Sequence, residues 1–114
     1  MDAVEMLLLF DYYGDMLTER QRMCLDLRYN QDLSLAEIAE ELGVSRQGVH
    51  DNITRAEAHL VNMEAKTGCV RRNLQSRQAM QAILSIAAEL KQHADPKVRD
   101  AAAKITETAS SIEE

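Results

Sequence analysis

The sequence predicts an all-α protein of about six helices. Two observations carry that reading. Good helix formers (Ala, Leu, Glu, Arg, Gln, Met) are plentiful, while four Gly, one Pro, no Trp and 4% aromatics leave little material for a sandwich or barrel. In addition, no window alternates β-branched residues with a period of two. A chain of 114 residues is one domain, or a small domain with an appendage, and is long enough for a single modest core.

The opening stretch "MDAVEMLLLFDYYGD" has an acidic start and a short apolar run with no basic region ahead of it, which argues against a secretion signal. No run approaches the roughly 20 apolar residues that span a bilayer. Cys24 and Cys69 stand singly in helical surroundings, so the expectation is a cytoplasmic chain with reduced thiols serving as apolar filler. Gly14 breaks the apolar run. Its ordinary reading is a core helix, and its alternative a surface for pairing two chains.

In "LTERQ", Thr18 and Gln21 form a capping box, in which each side chain satisfies an orphan backbone N–H. A helix is expected from there to about Tyr29, followed by the polar turn "YNQD". "LSLAEI" repeats the signal: Ser34 caps, Glu37 reaches back, and Leu33 staples to Ile38. Gly43 stops that short helix. Ser45 caps the next, which runs to about Lys66, where Thr67 and Gly68 end it. One long helix follows from Cys69 to His93. Asp95 as N-cap and Pro96 at the first helical position then open the last helix, to about Ser111.

The chain thus divides at 68, into a region 1–68 and a two-helix C-terminal hairpin 69–114. In the last helix, Val98, Ala102, Ile105, Ala109 and Ile112 form a seam at steps of four and three. Met80, Ile83, Ala87 and Leu90 offer the matching seam on the helix before it. Two of the five positions on the last helix are Ala, so the seam is thin, and the hairpin is expected to pair with a second copy.

Residues 34 to about 60 carry the functional signal. Ile38, Leu42, Val44, Val49 and Ile53 are apolar at the positions where two short helices crossing steeply must face inward. Ala39 is small at the crossing, and Gly43 supplies a residue content with positive φ. This is the pattern of a helix-turn-helix. At ~100° per residue, Gln47, Asp51, Thr54 and Ala58 point outward on the second helix, with His50 and Arg55 on the flanks. Such a helix meets base edges with its first turns. Gln47 can pair bidentately with adenine. Arg46 and Arg55 suit phosphate or guanine, and Ser45 with the neighbouring backbone N–H groups suits a phosphate. Arg71 and Arg72 are candidate phosphate contacts beyond the motif.

Charge weighs against this reading. The net charge is -6, and between Ser34 and Gly68 three basic residues face six acidic ones. Asp51 would repel phosphates and helps only by accepting from a cytosine amine. DNA binding is therefore expected to be weak and salt-sensitive, with a homodimer presenting two reading helices as palindromic sites require. The alternative is an adaptor that uses the same fold to hold a protein or RNA. No catalytic constellation stands out. His50, His59 and His93 are scattered, no Cys-x-x-Cys pair or phosphate-cradling Gly loop exists, and neither an enzyme nor a metal or other cofactor is expected.

The stretch "LTERQRMCLDLRYNQDLSLAEIAEELGVSRQGVHDNITRAE", with "DYYGDMLTERQ" before it, resembles the YlxM-like family of small bacterial helix-turn-helix proteins. The likeness extends over about the first 68 positions. It implies an N-terminal half similar to region 4 of sigma-70-type factors, and a regulator of transcription linked to the signal recognition particle pathway, whose GTPase gene lies beside those of the family. The adaptor alternative then names a protein or RNA component of that particle. Gly48 stands where the family leads one to expect Ala, and His50 where it leads one to expect an aromatic residue.

Overall fold

A computed structural model describes residues 2–112. Its helices are α1 (Ala3–Tyr13), α2 (Glu19–Leu25), α3 (Leu35–Leu42), α4 (Arg46–Thr67), α5 (Cys69–Leu90) and α6 (Pro96–Ser110). Among the described residues there is no strand, so the fold is all-α. The chain forms two compact units, Met1–Val70 and Arg71–Glu114. None of the described helices is long and apolar enough to cross a membrane.

In the first unit, α1, α2 and α3 all pack against α4. The core is closed by Leu25, Ile38, Val49, Ala56 and Leu60, none of which retains any exposure. α1 contributes Met6, Leu9 and Tyr13 to this core and leaves Val4, Leu8 and Tyr12 at the surface. The "LLLF" run is therefore a core helix on one side only. Cys24 is buried in the same core and Cys69 is half-buried, and neither is in a disulfide.

Local chemistry fixes the helix ends. Thr18 and Ser34 each form the full reciprocal box: Thr18 with Gln21, and Ser34 with Glu37, all four bonds at 3.1 Å. The N–H of Ser34 and its hydroxyl both hold Glu37 in place, and the backbone donor holds the Glu37 carboxyl below the usual glutamate range. A lowered folded value means stability that is present above the ordinary glutamate range and lost as pH falls through the lowered value. Glu37→Gln keeps the capping geometry without the titration. Urea midpoints measured down the acid range should therefore fall less steeply for Glu37→Gln than for the parent chain.

Two elements differ from the sequence expectation. The helix from Thr18 does not stay α-helical to Tyr29. After Leu25 it widens into a single π-helical turn, Asp26–Asn30. The wider turn is closed by a backbone bond from Gln31 N–H to Asp26 O (3.3 Å) and by Asn30 Nδ2 donating to Asp26 Oδ1 (2.8 Å). Arg28 Nη1 then donates to Leu33 O (2.9 Å), pinning the loop through which Asp32 passes in the left-handed region (φ 55°). α5 likewise stops at Leu90, three residues before the expected His93. There the backbone tightens to i→i−3 bonds from Gln92 to Glu89 and from His93 to Leu90. His93 Nδ1 also accepts from Asp95 N–H, and Arg99 donates to His93 O and Ala94 O. The side chains of this turn thus satisfy groups that a longer helix would have used.

The second unit is a helical hairpin. Asp95 caps α6 through the N–H of Lys97 (2.9 Å), and Pro96 occupies its first turn. Among its described residues, Ala87, Ala102 and Ala109 are the only buried ones.

Candidate nucleic-acid interface

The site rests on the junction of α3 and α4. Gly43 ends α3 in the left-handed conformation (φ 68°, ψ 34°), where an L side chain is strained and glycine is not. Val44 N–H then bonds back to Ala39 O (3.1 Å). Ser45 turns the chain into α4, its hydroxyl accepting from Gly48 N–H at 3.0 Å. Ile38, Val49 and Ile53 are buried between the two helices, and Leu42 and Val44 half-buried. All five positions named from the sequence therefore lock the motif.

With that face of α4 inward, the opposite face is open. Ser45, Arg46, Gln47, His50, Asp51, Thr54 and Arg55 are all exposed. Arg46 and Arg55 meet no carboxylate within ion-pair distance among the described residues, so both guanidiniums face solvent uncompensated. Gln47 is not idle. Its Nε2 donates to Asp51 Oδ1 one turn further on (3.1 Å), and His50 Nδ1 lies 3.8 Å from the same oxygen. Asp51 is thus partly satisfied by its own helix, which softens the repulsion that its charge offers to phosphate. Asn52 points elsewhere, with Nδ2 donating to Gly48 O (2.8 Å).

A shallow hollow of about 390 Å³ opens beside the start of α4, lined by Leu35, Arg46, Gln47 and His50. Leu35 was not among the residues singled out from the sequence. It is a half-buried apolar residue at the first position of α3, where the capping signal drew attention to its neighbours instead. An apolar side chain beside Gln47 is the kind of group that meets a thymine methyl.

The structure also bears on Gly48. A methyl group built there would lie 3.1 Å from Ser45 Oγ. Alanine would gain helix propensity but would press on the hydroxyl that caps the helix. Arg71 and Arg72 are exposed on the first turns of α5 and belong to the second unit, so the row on α4 is built without them. Among the described residues, no three His, Cys, Asp or Glu gather as metal ligands would.

Comparison with known proteins gives a family match. The family model described as "Putative helix-turn-helix protein, YlxM / p13 like" matches residues 2–100. The match runs well past Gly68, where the sequence reading ended the resemblance, and takes in α5 and the start of α6. Among relatives, a UPF0122 protein of Acetivibrio thermocellus is 53% identical over 85 residues, 74% of this chain and 73% of the relative. One of Desulforamulus reducens is 47% identical over 79 residues, 69% of this chain and 68% of the relative. One of Bacillus cereus is 43% identical over 91 residues, 80% of this chain and 82% of the relative.

Proposed function

The chain belongs to the YlxM/p13-like family of helix-turn-helix proteins, and from that premise we propose that it is a non-enzymatic, DNA-binding regulator that reads DNA with the first turns of α4. One observation carries the reading: the exposed row Arg46, Gln47, His50, Asp51, Thr54 and Arg55 holds two guanidiniums tied to no carboxylate among the described residues. Gln47 and His50 take base edges, Arg46 and Arg55 take phosphate or guanine, and the first-turn N–H groups beside Ser45 take a phosphate. The reading requires the chain to act in the cytoplasm, where bacterial DNA lies. The link to the signal recognition particle rests on the family resemblance alone.

A second reading, an adaptor for a protein of that particle, is favoured by the carboxylates Glu37, Glu40 and Glu41, all exposed on α3. In a docked helix-turn-helix the first helix crosses the DNA backbone, and these groups would repel it.

Titration of a labelled duplex, selected from a random pool, at several salt concentrations tests the proposal. Arg46→Ala and Arg55→Ala should each weaken binding about tenfold, and each lost phosphate contact should lower the salt slope by about one. Duplex binding that both substitutions leave unchanged would sink the DNA reading. Salt-resistant binding to the particle's protein, in its place, would favour the adaptor.

A further inference from the structure

A groove of about 400 Å³ runs along the α5–α6 hairpin, lined by Met80, Ile83, Lys104, Ile105, Thr108, Ala109 and Ile112. It is nearly all apolar. Ile83, Ile105 and Ile112 are 46%, 40% and 57% exposed, and Ile86 and Leu90, three and seven residues beyond Ile83, are 58% and 37% exposed. Together the five side chains leave on the order of 400–500 Å² of apolar surface open, more than half of what one partner contributes to a standard interface of about 800 Å² per side.

What lies beneath that surface matters equally. Among the described residues of the second unit, the buried ones are Ala87, Ala102 and Ala109, with Met80, Leu84 and Val98 half-buried beside them. Alanine methyls cannot hold a unit of this size together, because units near 40 residues need a disulfide, a metal or a partner chain. Neither cysteine of the chain is in a disulfide. Five of the larger apolar side chains of the hairpin, Ile83, Ile86, Leu90, Ile105 and Ile112, stay open at its surface, as in half of a four-helix bundle.

The charge pattern selects the partner. From Asn73 to Ala88 the only charged side chain on α5 is Arg77. Lys104 is the one charged residue among those lining the groove. A face so poor in charge offers little complement to a strongly acidic or basic protein, and a single lysine can lay its stem along the apolar surface and swing its ammonium to solvent when the face meets its own copy. A two-fold contact asks for such self-complementarity. We propose that the groove is a homodimer interface, in which the hairpins of two copies pack face to face into a four-helix bundle. Ile83, Ile86, Leu90, Ile105 and Ile112 form its core. This holds whether or not α4 binds DNA.

Sedimentation equilibrium of the full chain across a micromolar concentration range tests it. The parent chain should sediment at twice the 12.8 kDa of one copy. Ile86→Glu and Ile112→Glu should each raise the dimer dissociation constant by at least about 30-fold, the loss of a central interface residue. Both residues are more than half exposed in the single chain, so the helical circular dichroism should persist; where it does not, Ile86→Gln replaces the charged variant. Leu8→Glu, on the exposed side of α1, should leave the dimer intact. The proposal is overturned by a parent chain that sediments as a monomer throughout, or by a dimer that survives both hairpin substitutions. A dimer lost to Leu8→Glu and indifferent to Ile86→Glu also overturns it.

Discussion

Leu60→Ala should destabilise the protein by about 3 kcal/mol, within the roughly 2–5 kcal/mol that such truncations cost in a packed core. Leu60 has no exposure and lies on α4, the helix against which α1, α2 and α3 all pack. A cavity there has walls from several elements, and no single helix can shift to close it. The loss is a large share of a total stability of about 5–15 kcal/mol, so the urea midpoint should drop steeply with an unchanged slope. Leu60→Met keeps the volume and should cost less than about 1.5 kcal/mol. Equal losses for the two variants would show that packing around α4 is not what holds the unit.

The second large effect is expected at Tyr13. Its ring is buried, and its hydroxyl donates to Glu64 Oε1 at 2.7 Å and shares a hydrogen bond with Thr67 Oγ1. The same Glu64 oxygen accepts from Val70 N–H (3.0 Å), and Thr67 Oγ1 accepts from Cys69 N–H (3.2 Å). One phenol from α1 therefore organises the Gly68 break, where α4 ends in a left-handed glycine (φ 62°) and α5 begins. Tyr13→Phe leaves the ring in place and strips these partners, at a cost of about 1–3 kcal/mol in calorimetric or urea unfolding.

The same residue has a pH signature. Burial pushes the Tyr13 hydroxyl above the usual tyrosine range, the Glu64 charge pushes the same way, and the Thr67 hydrogen bond pulls against both. A raised folded value means stability that is whole below the ordinary value of about 10 and lost as pH rises toward the raised one. The parent chain should therefore lose more stability than Tyr13→Phe when unfolding is followed from neutral into that alkaline window. Parallel losses would show that the Tyr13 hydroxyl is not coupled to folding.

Much of this architecture was legible in the sequence because it is written in local chemistry. Thr18 with Gln21, Ser34 with Glu37, Gly43, Ser45 and Pro96 each announce a helix end through a backbone group that needs a partner, and each end formed there. The π-turn at Asp26–Asn30 left no such mark. It is closed by an Asp–Asn side-chain bond and a single long backbone bond, which composition and period do not encode. The Tyr13 network was equally hidden, since its members lie 51 and 54 residues apart along the chain. On α4, helical geometry alone sufficed to find the outward row. The Gln47–Asp51 bond and the Leu35 wall emerged only once α3 and α4 were in place.

The acidic side chains of the first unit also bear on how a chain divides its time inside a cell. Residues 1 to 70 hold thirteen carboxylates against six Lys and Arg, a balance of -7. On the proposed reading, the millions of unrelated duplex segments in a genome, which compete for any basic regulator, would exert almost no pull on this one. It would search unencumbered, diffusing freely rather than loitering along the chromosome. Few molecules would be sequestered elsewhere, and the larger free pool would offset in part a weak hold on any one operator.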